Sequence, residues 1–132
     1  MGGHKVMQAA IYAKNISGKT AKAQVSALRR LCQRRGWTVG DVYVDTPGRP
    51  PGLRSGKARI ALIDALLDRK HKHGTVCVWR IAMLGNCIDD TLWLLDEVHA
   101  KRGIAVVAPG DKLDTTQDDA LKKVLKALKR VE

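Results

Sequence analysis

Chemistry-bearing side chains first gather between residues 13 and 24, where Ala13-x-x-x-x-Gly18-Lys19-Thr20 satisfies a loose phosphate-loop pattern. Such a loop turns backbone amides inward on a phosphate and lets a lysine reach it. Ala13 stands where the first glycine usually stands, and Asp45 is the one candidate carboxylate for holding magnesium. A simpler reading makes Gly18-Lys19-Thr20 an amide cradle for a DNA phosphate. Ser17, just before it, suits the N-cap of a following helix.

A second gathering is basic. Pro47-Gly48-Arg49-Pro50 is followed by Arg54, Lys57 and Arg59. An extended arginine entering a narrow A/T minor groove is one physical route to DNA, while a solvated proline loop explains the same composition. His71, His73 and His99 have no carboxylate or cysteine at ligand spacing, and Cys32, Cys77 and Cys87 lack close pairing. No metal site and no cofactor are therefore expected. His71-Lys72-His73 reads as a polar helix end, and Trp79 and Trp93 read as core.

The chain of 132 residues suffices for one core, so residues 1–132 are expected to form a single domain, with 1–7 a tail. Its 24 Lys plus Arg against 13 Asp plus Glu give a net charge of +11, which favours a polyanionic partner. An odd number of unpaired cysteines fits reduced thiols in a cytoplasmic protein, and no apolar stretch of about 18 residues suggests a membrane span.

These groups need elements to position them. Residues 9–13 form an apolar run typical of a buried strand, and 21–35 repeat Ala21, Val25, Leu28, Leu31 and Cys32 at helical spacing until Gly36. Strand-type residues return at 37–45, and 46–57 is a proline- and glycine-rich loop. A helix at 60–70, a strand at 76–79, a helix at 88–100 with Ile88, Leu92, Leu95 and Val98 inward, and a strand at 104–108 follow. A lysine-rich helix is expected from residue 118 onward, striped by Leu121, Val124, Leu125 and Leu128. The alternation predicts an α/β fold: a mostly parallel sheet of four to five strands, with helices on both faces. Chemistry then belongs at the carboxyl ends of the strands, in the loops after Ala13, Asp45, Trp79 and Ala108.

Four segments, in order, resemble the catalytic domain of the resolvase and invertase type of serine recombinases. Tyr12-Ala13-Lys14-Asn15-Ile16-Ser17 resembles the family's Tyr-x-Arg-Val-Ser strand end, followed by a helix bearing Gln24. Asp45, Ser55-Gly56 and Arg59 look like its Asp, Ser-Gly and Arg elements. The run 78–86, Val-Trp-Arg-Ile-Ala-Met-Leu-Gly-Asn, is similar to Val-Trp-Arg-Leu-Asp-Arg-Leu-Gly-Arg. Gly103-Ile104-Ala105-Val106, then Leu113-Asp114-Thr115-Thr116, resemble the last core strand and its turn into a long helix.

The resemblance implies a serine hydroxyl attacking a DNA phosphodiester, no metal, and arginines forking onto the phosphate oxygens. Carried over by position, the first arginine becomes Lys14, the nucleophile Ile16, the Asp-Arg pair Ala82 and Met83, and the last arginine Asn86. Arg59, Ser55, Gln24 and Asp45 match. The expectation is a recombinase-type domain with a degenerate, inactive site that acts by DNA binding or oligomerisation. DNA-contact candidates are Lys19, Arg49, Arg54, Lys57, Arg59, Lys122, Lys126 and Arg130, and a homodimer fits the family's pairing helix. Three alternatives stand beside it. The segment from Tyr12 to Gln24 is one residue shorter than the family spacing, so a re-registered loop would make Ser17 the nucleophile of an active enzyme. The domain could instead be a protein-interaction module without DNA, or a nucleotide binder at residues 13–20.

Overall fold

The computed structural model describes residues 7–16, 18–45, 57–68, 72–85 and 87–115. The order is β1 (Gln8–Lys14), α1 (Ala21–Arg35), β2 (Thr38–Asp45), α2 (Lys57–Leu67), β3 (Thr75–Val78), α3 (Ile88–Leu95), β4 (Ala105–Ala108) and β5 (Leu113–Asp114). A 3-10 turn (Ile81–Leu84) precedes α3, a π-helical turn (Asp96–Ala100) extends it, and a second 3-10 turn (Pro109–Asp111) precedes β5. Among the described residues, no helix is long and apolar enough to cross a membrane.

The five strands lie in the order β2-β1-β3-β4-β5. β1 pairs in parallel with β2 and β3, and β3 with β4, while β5 runs antiparallel to β4. Strand periodicity sends alternate side chains of β1 to opposite faces. Ala9 and Ile11 join Leu28 and Cys32 of α1, whereas Ala10 and Tyr12 join Leu62 and Leu66 of α2 with Leu94 of α3 and Val98 of its π-helical extension. The α/β class and the helices on both faces are as the sequence implies. Each fully buried leucine in these clusters contributes about 1.5–3 kcal/mol of burial energy.

The departures have physical causes. α2 begins at Lys57, inside the expected loop, because Asp45 binds the amides of its first turn. On α3 and its π-helical extension, Thr91, Leu94 and Val98 are the buried positions. This stripe lies about one position off the expected Ile88, Leu92 and Leu95, which are half-buried. Trp93 therefore faces outward, 51% exposed, and is not core. His73 is no helix end: it is buried at the entry to β3, with Nε2 2.9 Å from Asp41 Oδ2. Cys87 is exposed. β5 was expected as a turn; it is held to α1 by Arg35 Nη2, 2.8 Å from Asp114 Oδ2.

Candidate functional site

The carboxyl ends of β1, β2 and β3 converge on one edge of the sheet, and β1 ends there with exposed Lys14. Beyond it Ile16 and Lys19 exchange backbone hydrogen bonds, each 3.1 Å, so the chain reverses between them. Gly18, at φ +83, takes the left-handed conformation that this reversal requires. Gln24, fully buried in α1, clamps the loop: Nε2 donates to Lys14 O (2.6 Å) and Lys19 O (3.2 Å), and Oε1 accepts from Lys14 N (3.3 Å). Thr20, not Ser17, is the N-cap of α1, accepting from Ala23 N at 3.1 Å, and Asn15 Oδ1 accepts from Ala21 N at 2.6 Å. The amides of Ile16, Lys19, Ala21 and Ala23 are thus all committed within the loop. A phosphate-loop cradle would need such amides facing a ligand.

At the end of β2, Asp45 is buried and accepts three hydrogen bonds. Tyr12 Oη donates at 2.6 Å, Ala58 N at 2.8 Å and Arg59 N at 3.0 Å. The carboxylate thereby caps α2 from a distance in sequence and meets the positive end of its dipole. Burial, then the Asp45 hydrogen bond, push the Tyr12 phenol above the usual tyrosine range, so it remains a neutral donor. Arg59 itself turns toward the segment after β3: Nη1 donates to Leu84 O at 3.4 Å and lies 3.8 Å from Asp90 Oδ2.

The β3 side is built differently. Trp79 is half-buried, with the Lys19 ammonium 4.0 Å from its ring centre and its carbonyl accepting from Gly110 N at 2.8 Å. Asp111 Oδ2 accepts from Ile81 N at 2.7 Å and so anchors the Ile81–Leu84 turn. Within that turn Ile81 and Leu84 are buried, and Ala82 and Met83 are half-buried. Gly85 presses on the start of α3, where a Cβ would stand 2.3 Å from Thr91 Oγ1. The turn presents backbone and apolar side chains, with exposed Arg80 at its entry.

The family model for the resolvase N-terminal domain matches residues 11–132. The chain belongs to the resolvase family. Among solved structures, this resolvase-family chain is similar to the N-terminal catalytic domain of TP901-1 integrase, at 24% identity and TM-score 0.73, covering 94% of this chain and 92% of that one. It is also similar to a resolvase family site-specific recombinase from Streptococcus pneumoniae, at 18% identity and TM-score 0.74, covering 95% and 87% of the two chains. The C-terminal catalytic domain of ISC1926 TnpA, an IS607-like serine recombinase, matches at 17% identity and TM-score 0.60, covering 95% and 80%. At such identities the structures establish a shared fold. No curated protein sequence matches the chain.

Of the residues singled out in the sequence, this resolvase-family fold brings Lys14, Lys19, Gln24, Asp45 and Arg59 to one edge, with Lys57 exposed at the start of α2. Ser17, Arg49, Arg54, Ser55, Asn86, Lys122, Lys126 and Arg130 lie outside the described residues, as do His71 and the expected final helix. Sequence reasoning missed Tyr12 and Asp111 as anchors, Asn15 and Thr20 as caps, and the Lys19–Trp79 stack. Asn15 and Thr20 carried a local signal, being short polar side chains before a helix. Tyr12 and Asp111 carried none, because their partners lie about 30 residues away.

Proposed function

We propose that residues 1–132 form one serine-recombinase-type domain that does not cleave DNA and acts by binding the DNA backbone, pairing with a second recombinase-type subunit, or both. The observation that carries the reading is the Ile81–Leu84 turn. Where the family pattern has an aspartate and an arginine, this turn holds Ala82 and Met83. Removing one donor from a preorganised site lowers a rate by roughly two to three decades. Isoleucine at the nucleophile position compounds that loss, because Ile16 has no hydroxyl to attack phosphorus.

The DNA half of the reading rests on charge. A net +11 with Lys14, Lys57 and Arg80 exposed along or beside the carboxyl edge provides cations that exchange counterions for phosphates. Arg49, Arg54, Lys122, Lys126 and Arg130 are proposed to extend that surface. The pairing half is supported by Ile60 and Trp93, each 51% exposed on the two helices of the same sheet face.

Duplex affinity measured across a salt series tests the DNA role. Neutralising four phosphates predicts a log–log slope of about −3.6. A flat dependence would replace DNA with a protein partner. Ser17 is the competing nucleophile, and a phosphoserine adduct at that residue would replace the inactive reading with an active enzyme.

A further inference from the structure

Two of the three cysteines meet inside the core on the α1 side of the sheet. Cys32, on the inner face of α1, and Cys77, on the middle strand β3, are both fully buried. Their Sγ atoms lie 3.8 Å apart, joining positions 45 residues apart in sequence. A disulfide holds its sulfurs at about 2.05 Å, so closure asks for small side-chain rotations and a slight approach of α1 to the sheet.

We propose that Cys32 and Cys77 form an oxidation site, at which a small uncharged two-electron oxidant of the hydrogen peroxide class converts the thiol pair into a disulfide stapling α1 to β3. In the first step the Cys32 sulfur attacks one peroxide oxygen, the O–O bond breaks, and sulfenic acid and one water result. In the second the Cys77 sulfur displaces the sulfenic hydroxyl, the S–S bond forms, and the Cys77 proton leaves with that hydroxyl as water. Two thiols and one peroxide give one disulfide and two waters.

The order of the steps follows from the surroundings. The contact with Cys77, and with it the nearby Arg29 charge, holds the Cys32 thiol below its usual range. The contact with Cys32 and burial hold Cys77 above its own. Cys32 therefore ionises first and attacks first. At 0% exposure neither thiol meets solvent, so the oxidant reaches the pair through a transient local opening of α1 from the sheet, which favours a small uncharged molecule over bulky thiol reagents. Stapling α1 also constrains the helix whose Gln24 clamps the β1–α1 loop.

The test uses the full chain carrying Cys87→Ser, which removes the exposed thiol and with it intermolecular bridging. After hydrogen peroxide treatment and alkylation, peptide mapping is expected to find a Cys32–Cys77 linkage that dithiothreitol reverses. The staple is expected to raise the melting temperature by roughly 10 °C. Cys32→Ala in the same background should abolish both the linkage and the shift. Unlinked thiols in folded protein, at a peroxide dose that links the unfolded chain, would overturn the proposal. So would oxygen addition at either cysteine without linkage, or a linkage that lowers the melting temperature.

Discussion

Two halves of the same sheet edge have been built on opposite terms. At the ends of β1 and β2, Gln24 and Asp45 are buried, and their polar atoms are directed at backbone amides, carbonyls and the Tyr12 hydroxyl. At the end of β3, the Ile81–Leu84 turn carries apolar side chains, and the groups holding it are Asp111, Arg59 and the turn's own backbone. Gln24 and Asp45 thus position chain, whereas Ala82 and Met83 of the neighbouring turn carry no charge. Under the proposed function, the contrast means that scaffold and reaction can separate, because one depends on bonds within the protein and the other on bonds to a ligand.

That comparison can be broken by substitution. The largest effect is expected for Asp45→Ala, which strands the Tyr12 hydroxyl and two α2 amides and should cost about 2–4 kcal/mol in denaturant unfolding. A loss under half a kilocalorie would show that Asp45 is not a frame residue. Gln24→Ala comes next, at about 1–3 kcal/mol, because it frees two carbonyls and an amide of the β1–α1 loop. Hydrogen exchange at Lys14 and Lys19 should rise with it, and unchanged protection would remove the clamp.

Alkaline pH provides a titration of the same frame. The Tyr12 phenol is raised in the folded state, so its contribution to stability is complete below the ordinary tyrosine range. It is lost as pH climbs through that range toward the folded value, because the unfolded chain releases the proton first. Tyr12→Phe, less stable at neutral pH, should lack this part of the alkaline loss when unfolding is followed across pH. Parallel curves for both proteins would contradict the assignment. The smallest effect belongs to the other half: Ala82→Asp places a carboxylate in the first turn of a short helix and should change stability by less than about 1 kcal/mol. A cost matching that of Asp45→Ala would erase the distinction between the halves.

Much of the frame was legible from periodicity alone. The helix expected at 21–35 is α1, Ala21–Arg35, ended by Gly36 in the left-handed conformation, because stripe and stop are local signals. The start of α2 was not legible, since its cap comes from Asp45 rather than from the residue before it. Nor was β5, whose two residues are too few to show alternation, or the outward turn of Trp93, which depends on the rotation of α3. Within the site, Gln24, Asp45 and Arg59 are singled out by their match to the family pattern. Their roles were hidden, because a backbone partner leaves no mark in a sequence.

The most direct measurement traps covalent intermediates. Purified protein would be incubated with supercoiled plasmid and with duplexes taken from the DNA flanking its own coding sequence, then quenched in denaturant. Denaturing gels would report nicks, and mass spectrometry would report phosphoserine-linked nucleotide. The emptied turn and Ile16 predict intact DNA and no adduct, even under conditions where the protein binds the duplex. A nucleotide carried on Ser17, with nicked DNA beside it, would contradict the account.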